Sequence, residues 1–119
     1  MLRLWKAFFY SLAGLKEAWR EPAARLEIYL LALALPLAAG MPVGTVEKLL
    51  LAGSVVAIFV VEILNTSVEA AIDRISAERH ELSRIAKDLG SAAVFVSALF
   101  AALVWAAIAG PVAIARWVG

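Results

Sequence analysis

Three long stretches without charged residues dominate the pattern of apolar and polar positions along the chain. Ile28–Val46 is uncharged for 19 residues, Leu49–Val61 for 13 and Leu89–Ala115 for 27. A helix needs about 20 mainly apolar residues to cross a membrane. The first and third stretches meet this length alone, whereas the second meets it only if Glu62 and Asn65 lie within or near the bilayer. The pattern predicts three membrane helices, and a two-span arrangement is the alternative.

Residues 2–20 show a different pattern, which is amphipathic with a helical period. At 100° per residue one face is aromatic and leucine-rich, and the opposite face is charged and polar. This division is typical of a helix that lies in the membrane interface. A helix packed on other protein is the alternative. The apolar face holds Trp5, Phe8, Phe9, Leu12, Leu15 and Trp19, and the polar face holds Arg3, Lys6, Tyr10, Glu17 and Arg20.

These patterns together predict an all-α membrane protein with a single domain over residues 1–119. An amphipathic helix at 1–26 precedes membrane helices at about 28–46, 49–73 and 88–115. The two glycines and one proline of Gly40-Met41-Pro42-Val43-Gly44 indicate a tight turn after the first membrane helix. Composition agrees, because 64% of the residues are hydrophobic, against roughly 45–50% in soluble domains.

Charge distribution predicts the orientation. Nine of the eleven Lys and Arg residues fall in segments 1–27 and 74–88. The positive-inside rule therefore places the N-terminus and the 74–88 loop in the cytoplasm and the C-terminus outside. The net charge is only +1 and cysteine is absent, so disulfides and Cys-ligated metals are excluded. No nucleic-acid partner is expected.

The third span is rich in small residues at helical spacing, which let helices approach closely in lipid. Three thin helices enclose a polar site poorly, so we expect a homo-oligomer with sites between subunits. Packing of the three helices within one chain is the alternative. The two small-residue series are Ala93-Ser97-Ala101 and Ala98-Ala102-Ala106-Gly110.

Four polar residues follow one another along the second span with the spacing i, i+3, i+7 and i+11: Glu62, Asn65, Glu69 and Asp73. At 100° per residue they share one helix face within about 80°, and we call them the polar stripe. Ionisable residues at membrane depth indicate a functional site. Inert ion pairs with Arg74, Arg79 or Lys87 are the alternative interpretation of these acids.

A stripe of this composition suits phosphoryl transfer. A buried carboxylate can accept a proton from an alcohol, and Mg²⁺ usually takes one or two carboxylates plus substrate phosphates. Lys87 begins the third span, where its ammonium can hold a phosphate. Asp88 follows it, and Gly90-Ser91 leaves room for a ligand to approach the backbone. Phosphoryl transfer depends mostly on positioning and charge neutralisation. The chain has no P-loop and no protein-kinase signature, so any use of ATP follows another architecture.

Two other interpretations stay open on these residues alone. Acids at membrane depth also mark ion pathways, so a small membrane cation carrier is one alternative. A structural interaction subunit is the other, and it predicts that the stripe tolerates apolar replacements. His80 is a single histidine in a charged loop, where a solvated surface residue is a plainer interpretation than a metal ligand.

Four segments carry a resemblance to a known family. They are Val-Glu-Ile-Leu-Asn-Thr-Ser-Val-Glu-Ala-Ala-Ile-Asp at 61–73, Glu-Arg-His-Glu-Leu-Ser at 78–83, Ala-Lys-Asp-Leu-Gly-Ser-Ala-Ala-Val at 86–94 and Glu-x-x-x-Arg-x-Glu at 21–27. With the chain length and the three spans, they resemble the bacterial integral-membrane diacylglycerol kinase family over nearly the whole chain. The resemblance implies a homotrimeric inner-membrane enzyme with a cytoplasmic active site. Such an enzyme moves the γ-phosphoryl of MgATP to the hydroxyl of diacylglycerol, giving phosphatidic acid.

The resemblance also implies roles for individual residues, in composite sites between subunits. Glu62 would be the general base that faces the lipid hydroxyl, with Asn65 beside it. Glu21 and Glu69 would hold Mg²⁺, although the match at Glu21 requires one residue to be missing after the preceding helix. The nucleotide would contact Tyr10, Ser11, Glu69, Glu78, His80, Lys87 and Asp88.

The chain departs from the family pattern at two places. Arg79 stands where a tyrosine is common, and Arg84-Ile85 replaces a Gly-Arg pair. These departures concern contacts to adenine and phosphate. A sibling class of the same family phosphorylates undecaprenol, but the segments at 80–83 and 86–91 resemble the diacylglycerol enzymes more closely.

Overall fold

The structure is a computed structural model that describes residues 2–75 and 80–118. Within these residues the chain forms four α-helices: α1 (Leu2–Arg20), α2 (Pro22–Gly40), α3 (Thr45–Ile75) and α4 (Glu81–Val118). Each of α2, α3 and α4 is long and apolar enough to cross a membrane. The predicted all-α class, with three membrane helices after an amphipathic one, is therefore confirmed.

The helices pack in chain order, with α3 at the centre. It contacts both α2 and α4, and α1 packs against α2. The buried side chains are mostly small, which permits close helix approach where lipid replaces water as the solvent. They include Ala24, Ala34 and Ala38 on α2, Leu51, Val55 and Ile58 on α3, and Ala101 on α4.

One backbone carbonyl ties α3 to α4. The Leu51 carbonyl oxygen accepts hydrogen bonds from Ser54 Oγ at 2.9 Å and from Trp105 Nε1 at 3.1 Å. Leu51 is fully buried, so the indole N–H of Trp105 meets its partner away from water. A buried donor that lacked such a partner would be costly. Trp105 therefore joins α3 and α4 through its indole N–H.

The first two helices meet at a sharp corner. The expected amphipathic helix over 1–26 ends at Arg20, and α2 begins at Pro22 rather than near residue 28. A proline disfavours helical geometry in the residue before it, and Glu21 is indeed extended, with φ −85° and ψ 123°. Arg25 fixes the corner, because its Nε donates to the Trp19 carbonyl at 2.8 Å and its guanidinium lies 5.4 Å from the Trp19 ring centroid.

The other helix ends also differ from the sequence expectation. The first membrane helix ends at Gly40 rather than at 46, because Met41 precedes Pro42 and takes an extended conformation. Both α3 and α4 extend beyond 49–73 and 88–115 at each end. Neither Pro36 nor Pro111 ends its helix, since lipid-embedded helices tolerate proline where neighbours satisfy the freed carbonyl.

The apolar face of α1 is uncovered in the single chain. Its large side chains are more than two-fifths exposed from Trp5 to Trp19, and Ala18 is the buried residue of the helix. The aromatic ring of Phe9 contacts those of Trp5 and Phe8 on this face. An aromatic face left open beside membrane helices is the arrangement of a helix that rests on the bilayer surface.

Candidate active site

Burial changes steadily along the polar stripe of α3. Glu62 is 9% exposed, Asn65 and Glu69 are half-buried, and Asp73 is exposed. At 1.5 Å per residue the stripe spans about 16 Å along the helix axis. The stripe therefore runs from the apolar interior of the bundle to an open end.

Glu62 lies at the centre of an acidic cluster formed by α3 and the start of α2. The charges of Glu21, Glu27 and Glu69 are near enough to interact with that of Glu62. The Oε2 atom of Glu27 is buried and accepts no hydrogen bond from the described residues. Among those residues Glu62 and Glu69 form no ion pair, although Arg79 is not described. Of the three basic partners that the inert-ion-pair interpretation names, the two described ones, Arg74 and Lys87, pair with neither Glu62 nor Glu69.

Glu27 is an acid of this cluster to which sequence reasoning gave no role. The Glu-x-x-x-Arg-x-Glu spacing placed it just before the expected first span. The structure puts it inside α2, because α2 begins at Pro22. The signal that could have found it is the proline, which moves the helix start and brings the following acid to membrane depth.

Asn65 fills the space between α3 and α4. Its Nδ2 donates to Glu69 Oε1 at 3.4 Å, while its Oδ1 is buried without a partner among the described residues. A Cβ placed on Gly90 of α4 would lie 1.9 Å from this Oδ1. The open space that the sequence offered to a ligand at Gly90 is therefore occupied by the Asn65 carboxamide. Gly90 is the residue that lets Asn65 lie there.

Lys87 reaches from α4 to the exposed end of the stripe. Its Nζ donates to Asp73 Oδ1 at 2.9 Å. The neighbouring Asp88 points elsewhere, since its Oδ2 accepts a hydrogen bond from Arg84 at 2.8 Å, and Arg84 also pairs with Glu81. The structure thus joins Lys87 to the stripe, whereas Asp88 belongs to an exposed ion-pair network on α4.

A cavity of about 940 Å³ lies between α1, α2 and α3. Tyr10 and Ser11 of α1 line it together with Glu21, and Thr66 and Ser67 line it from α3. Ligand pockets commonly measure about 300–1,000 Å³, so the cavity is large enough for a nucleotide-sized ligand. Three of the residues singled out from the sequence meet here, beside the stripe.

His80, a predicted nucleotide contact, does not line this cavity. His80 is exposed, and its Nδ1 accepts a hydrogen bond from the Leu82 N–H at 3.1 Å. It therefore caps the first turn of α4, as an N-cap side chain does. Glu78 lies outside the described residues, so the structure says nothing of it.

The donor set of the site suits a hard divalent cation. Within residues 2–75 and 80–118 no three His, Asp or Glu side chains are grouped closely enough to form a metal cage. Mg²⁺ does not need one, because it usually combines one or two carboxylates with substrate phosphates and water. Glu69 and the orphaned Asn65 Oδ1 offer oxygen ligands side by side, and Glu21 lies across the same cluster.

Comparison with known proteins finds a family and several relatives that this chain resembles. The family model for prokaryotic diacylglycerol kinase matches residues 9–109. The diacylglycerol kinase of Escherichia coli is 44% identical over 104 residues, which cover 87% of this chain and 85% of the relative. The enzyme of the same name from Haemophilus influenzae is 43% identical over 100 residues (83% and 85%), and that from Helicobacter pylori is 41% identical over 104 residues (87% and 81%).

The helical fold, the membrane spans and these relatives define an integral membrane kinase, an ATP-dependent phosphotransferase. More particularly, the chain belongs to the prokaryotic diacylglycerol kinase family. The resemblance drawn from the four sequence segments is thereby confirmed. The family is bacterial and its members are lipid kinases, which agrees with a site that opens along a membrane helix.

Proposed function

We propose that the protein transfers the γ-phosphoryl group of MgATP to the hydroxyl of diacylglycerol, giving phosphatidic acid and ADP. The relatives named diacylglycerol kinase support this substrate. The observation that carries the proposal is the burial gradient of the polar stripe, from buried Glu62 to exposed Asp73. A lipid hydroxyl and a nucleotide can approach such a stripe from opposite ends.

Glu62 is the proposed general base. In the step that we infer, the lipid hydroxyl oxygen attacks the γ-phosphorus, its proton passes to a Glu62 carboxylate oxygen, and the bond from the γ-phosphorus to the bridging oxygen breaks to release ADP. A carboxylate shielded from water by the bundle is suited to this proton transfer. Asn65, one helical turn away, orients the reacting groups beside the base.

Glu69 and Glu21 are the proposed ligands of Mg²⁺, with Asn65 Oδ1 as a neighbouring oxygen donor. When bound, Mg²⁺ neutralises the charge that develops on the transferred phosphoryl group. The Lys87 ammonium adds a second positive charge near the stripe. Tyr10 and Ser11 form a wall of the proposed nucleotide cavity, whereas contacts from Glu78, His80 and Asp88 stay predictions.

Assembly and orientation complete the proposal. The second small-residue series on α4 faces outward in the single chain, with Ala98, Ala102 and Ala106 exposed, whereas Ala101 at the end of the first series is buried. Such a series supports a homotrimer whose sites form between subunits. The basic segments at 1–27 and 74–88 support an inner-membrane protein with the N-terminus and the site in the cytoplasm.

The deciding experiment offers radiolabelled ATP to detergent-purified protein, with a short-chain diacylglycerol and with undecaprenol in parallel. We expect labelled phosphatidic acid to be the dominant product. Preferential labelling of undecaprenol would replace the proposed substrate with that of the sibling class. Absence of labelled lipid from either substrate would refute the proposed reaction.

The base assignment has its own test. Glu62→Gln should lower kcat by at least about 10²-fold, since general base catalysis contributes about 10²–10⁴-fold. Glu47→Gln makes the same chemical change in the first turn of α3, far from the stripe, and should leave kcat unchanged. Size-exclusion chromatography checks that both variants keep the wild-type assembly. Full activity of Glu62→Gln would rule out Glu62 as the base.

A further inference from the structure

An ion pair joins the end of α3 to the beginning of α4. Lys87 Nζ lies 2.9 Å from Asp73 Oδ1, although the two residues are 14 positions apart in the chain. The other ion pairs among the described residues connect positions three or four apart on one helix. The Asp73–Lys87 pair therefore holds the Lys87 side chain of α4 against the end of α3.

The charges around Lys87 favour this partner. Asp88 and Glu81 are the acids nearest to Lys87 along α4, and both are paired with Arg84. Because Arg84 neutralises both acids of α4, the Lys87 ammonium pairs with Asp73 of α3 instead. Asp73 is also one helical turn beyond Glu69, so the pair holds the ammonium at the aqueous end of the polar stripe.

We propose that Asp73 is a positioning residue for the nucleotide: it holds the Lys87 ammonium at the stripe, where the ammonium receives the phosphates of ATP. The inference rests on the proposed function, because that function makes Lys87 a phosphate contact. An ammonium group has three N–H donors. One is engaged by Asp73, and two remain for a polyphosphate.

The exposure of the Asp73–Lys87 pair allows Lys87 to move toward a bound nucleotide. The side chains of Lys87 and Asp73 are 44% and 65% exposed, and exposed ion pairs are weak. A polyphosphate with several negative charges can therefore draw the ammonium toward itself without a large loss. Asp73 restricts the conformations of the Lys87 side chain before the nucleotide binds. The side chain therefore loses less conformational entropy on binding.

The test measures MgATP binding and turnover separately in the full-length protein in detergent. Asp73→Asn should raise KM for MgATP, and Kd for the non-hydrolysable β,γ-imido analogue, by about three- to tenfold. KM for the short-chain diacylglycerol should stay at the wild-type value. Asp73→Glu restores the charge and should bring both nucleotide constants to within about twofold of wild type.

Two controls separate positioning from general damage. Glu81→Gln removes another exposed ion pair at the same end of α4 and should leave KM for MgATP unchanged. In a Lys87→Met background, Asp73→Asn should cause no further loss of analogue binding, because residues that act through one another are not additive. A further loss in that background would overturn the proposal.

The sign of the effect is decisive. Tighter analogue binding by Asp73→Asn would mean that Asp73 only repels the phosphates, and unchanged binding would mean that it does not position Lys87. Either result overturns the inference while leaving lipid phosphorylation by the wild-type protein untouched. Conversely, an Asp73-dependent binding of the analogue without any labelled lipid would support the inference and overturn the proposed function.

Discussion

Gly90→Ala is the substitution that the structure predicts to separate activity from stability most clearly. The new Cβ would lie 1.9 Å from Asn65 Oδ1 and 3.0 Å from Asn65 Cγ. Ordinary contact begins near 3.4 Å, so Oδ1 has to retreat by at least about 1.5 Å. The obstacle is the end of a flexible side chain rather than backbone, and the helices can therefore stay where they are.

The effect on stability is small because opposite contributions nearly cancel. Alanine is better than glycine inside a helix by roughly 0.5–1 kcal/mol. Against this, moving Asn65 off its rotamer costs roughly 0.5–1.5 kcal/mol, and its long hydrogen bond to Glu69 is lost. We expect the thermal midpoint in detergent to stay within a few degrees of wild type.

The effect on turnover is large on the proposed function. Displacing a positioned group by about 1 Å can cost about 10²-fold in rate, and Asn65 moves further than this. We therefore expect kcat of Gly90→Ala to fall by about 10- to 100-fold. The measurement is initial-rate lipid phosphorylation at saturating MgATP, beside a thermal melt of the same sample.

Gly53→Ala is the matched control. Gly53 lies inside α3, and a Cβ there would meet no atom of the described residues within 4 Å, so the variant should keep full kcat. A Gly90→Ala enzyme with wild-type kcat would refute the reasoning, and so would one that loses activity only by unfolding. In an Asn65→Ala background, Gly90→Ala should add no further loss, because the clashing carboxamide is gone.

Two further predictions concern the contacts that hold the helices together. Trp105→Phe removes the hydrogen bond to the Leu51 carbonyl and should lower the free energy of unfolding by about 1 kcal/mol, measured by a detergent melt; an unchanged melt would show that Ser54 alone satisfies this carbonyl. Arg25→Lys loses both the Nε hydrogen bond and the stacking on Trp19, so amide hydrogen exchange in α1 should become faster. Wild-type exchange rates would contradict the assignment of Arg25 as the residue that fixes the corner.

Periodicity predicted the helices and the polar stripe because both are properties of one helix at a time. Glu62, Asn65 and Glu69 share a face of α3 wherever that helix packs. Contacts between helices have no such local signal. The sequence predicts an open position at Gly90, but the approach of Asn65 to Gly90 depends on how α3 and α4 pack against each other.

Helix boundaries failed for a different reason. The last charged residue before the first uncharged stretch predicts a start near residue 28, whereas α2 begins at Pro22. This shift brings Glu27 into the bundle beside Glu62. A carboxylate at that depth is typical of a functional site. The start of α2 at Pro22, which charge alone does not predict, therefore also brings Glu27 into the acidic cluster.

The burial gradient also limits where the proposed reaction can take place. A triphosphate is too highly charged to enter the apolar part of the bundle near Glu62. Diacylglycerol is apolar and stays in the membrane, so its hydroxyl does not reach the exposed end of the stripe at Asp73. Glu62 and Glu69 are about 10 Å apart along α3, and Asn65 lies between them, half-buried. The hydroxyl and the γ-phosphoryl group must therefore meet at the level of Asn65. This is why the carboxamide, although it transfers no proton, is the group whose displacement by Gly90→Ala should be felt in kcat.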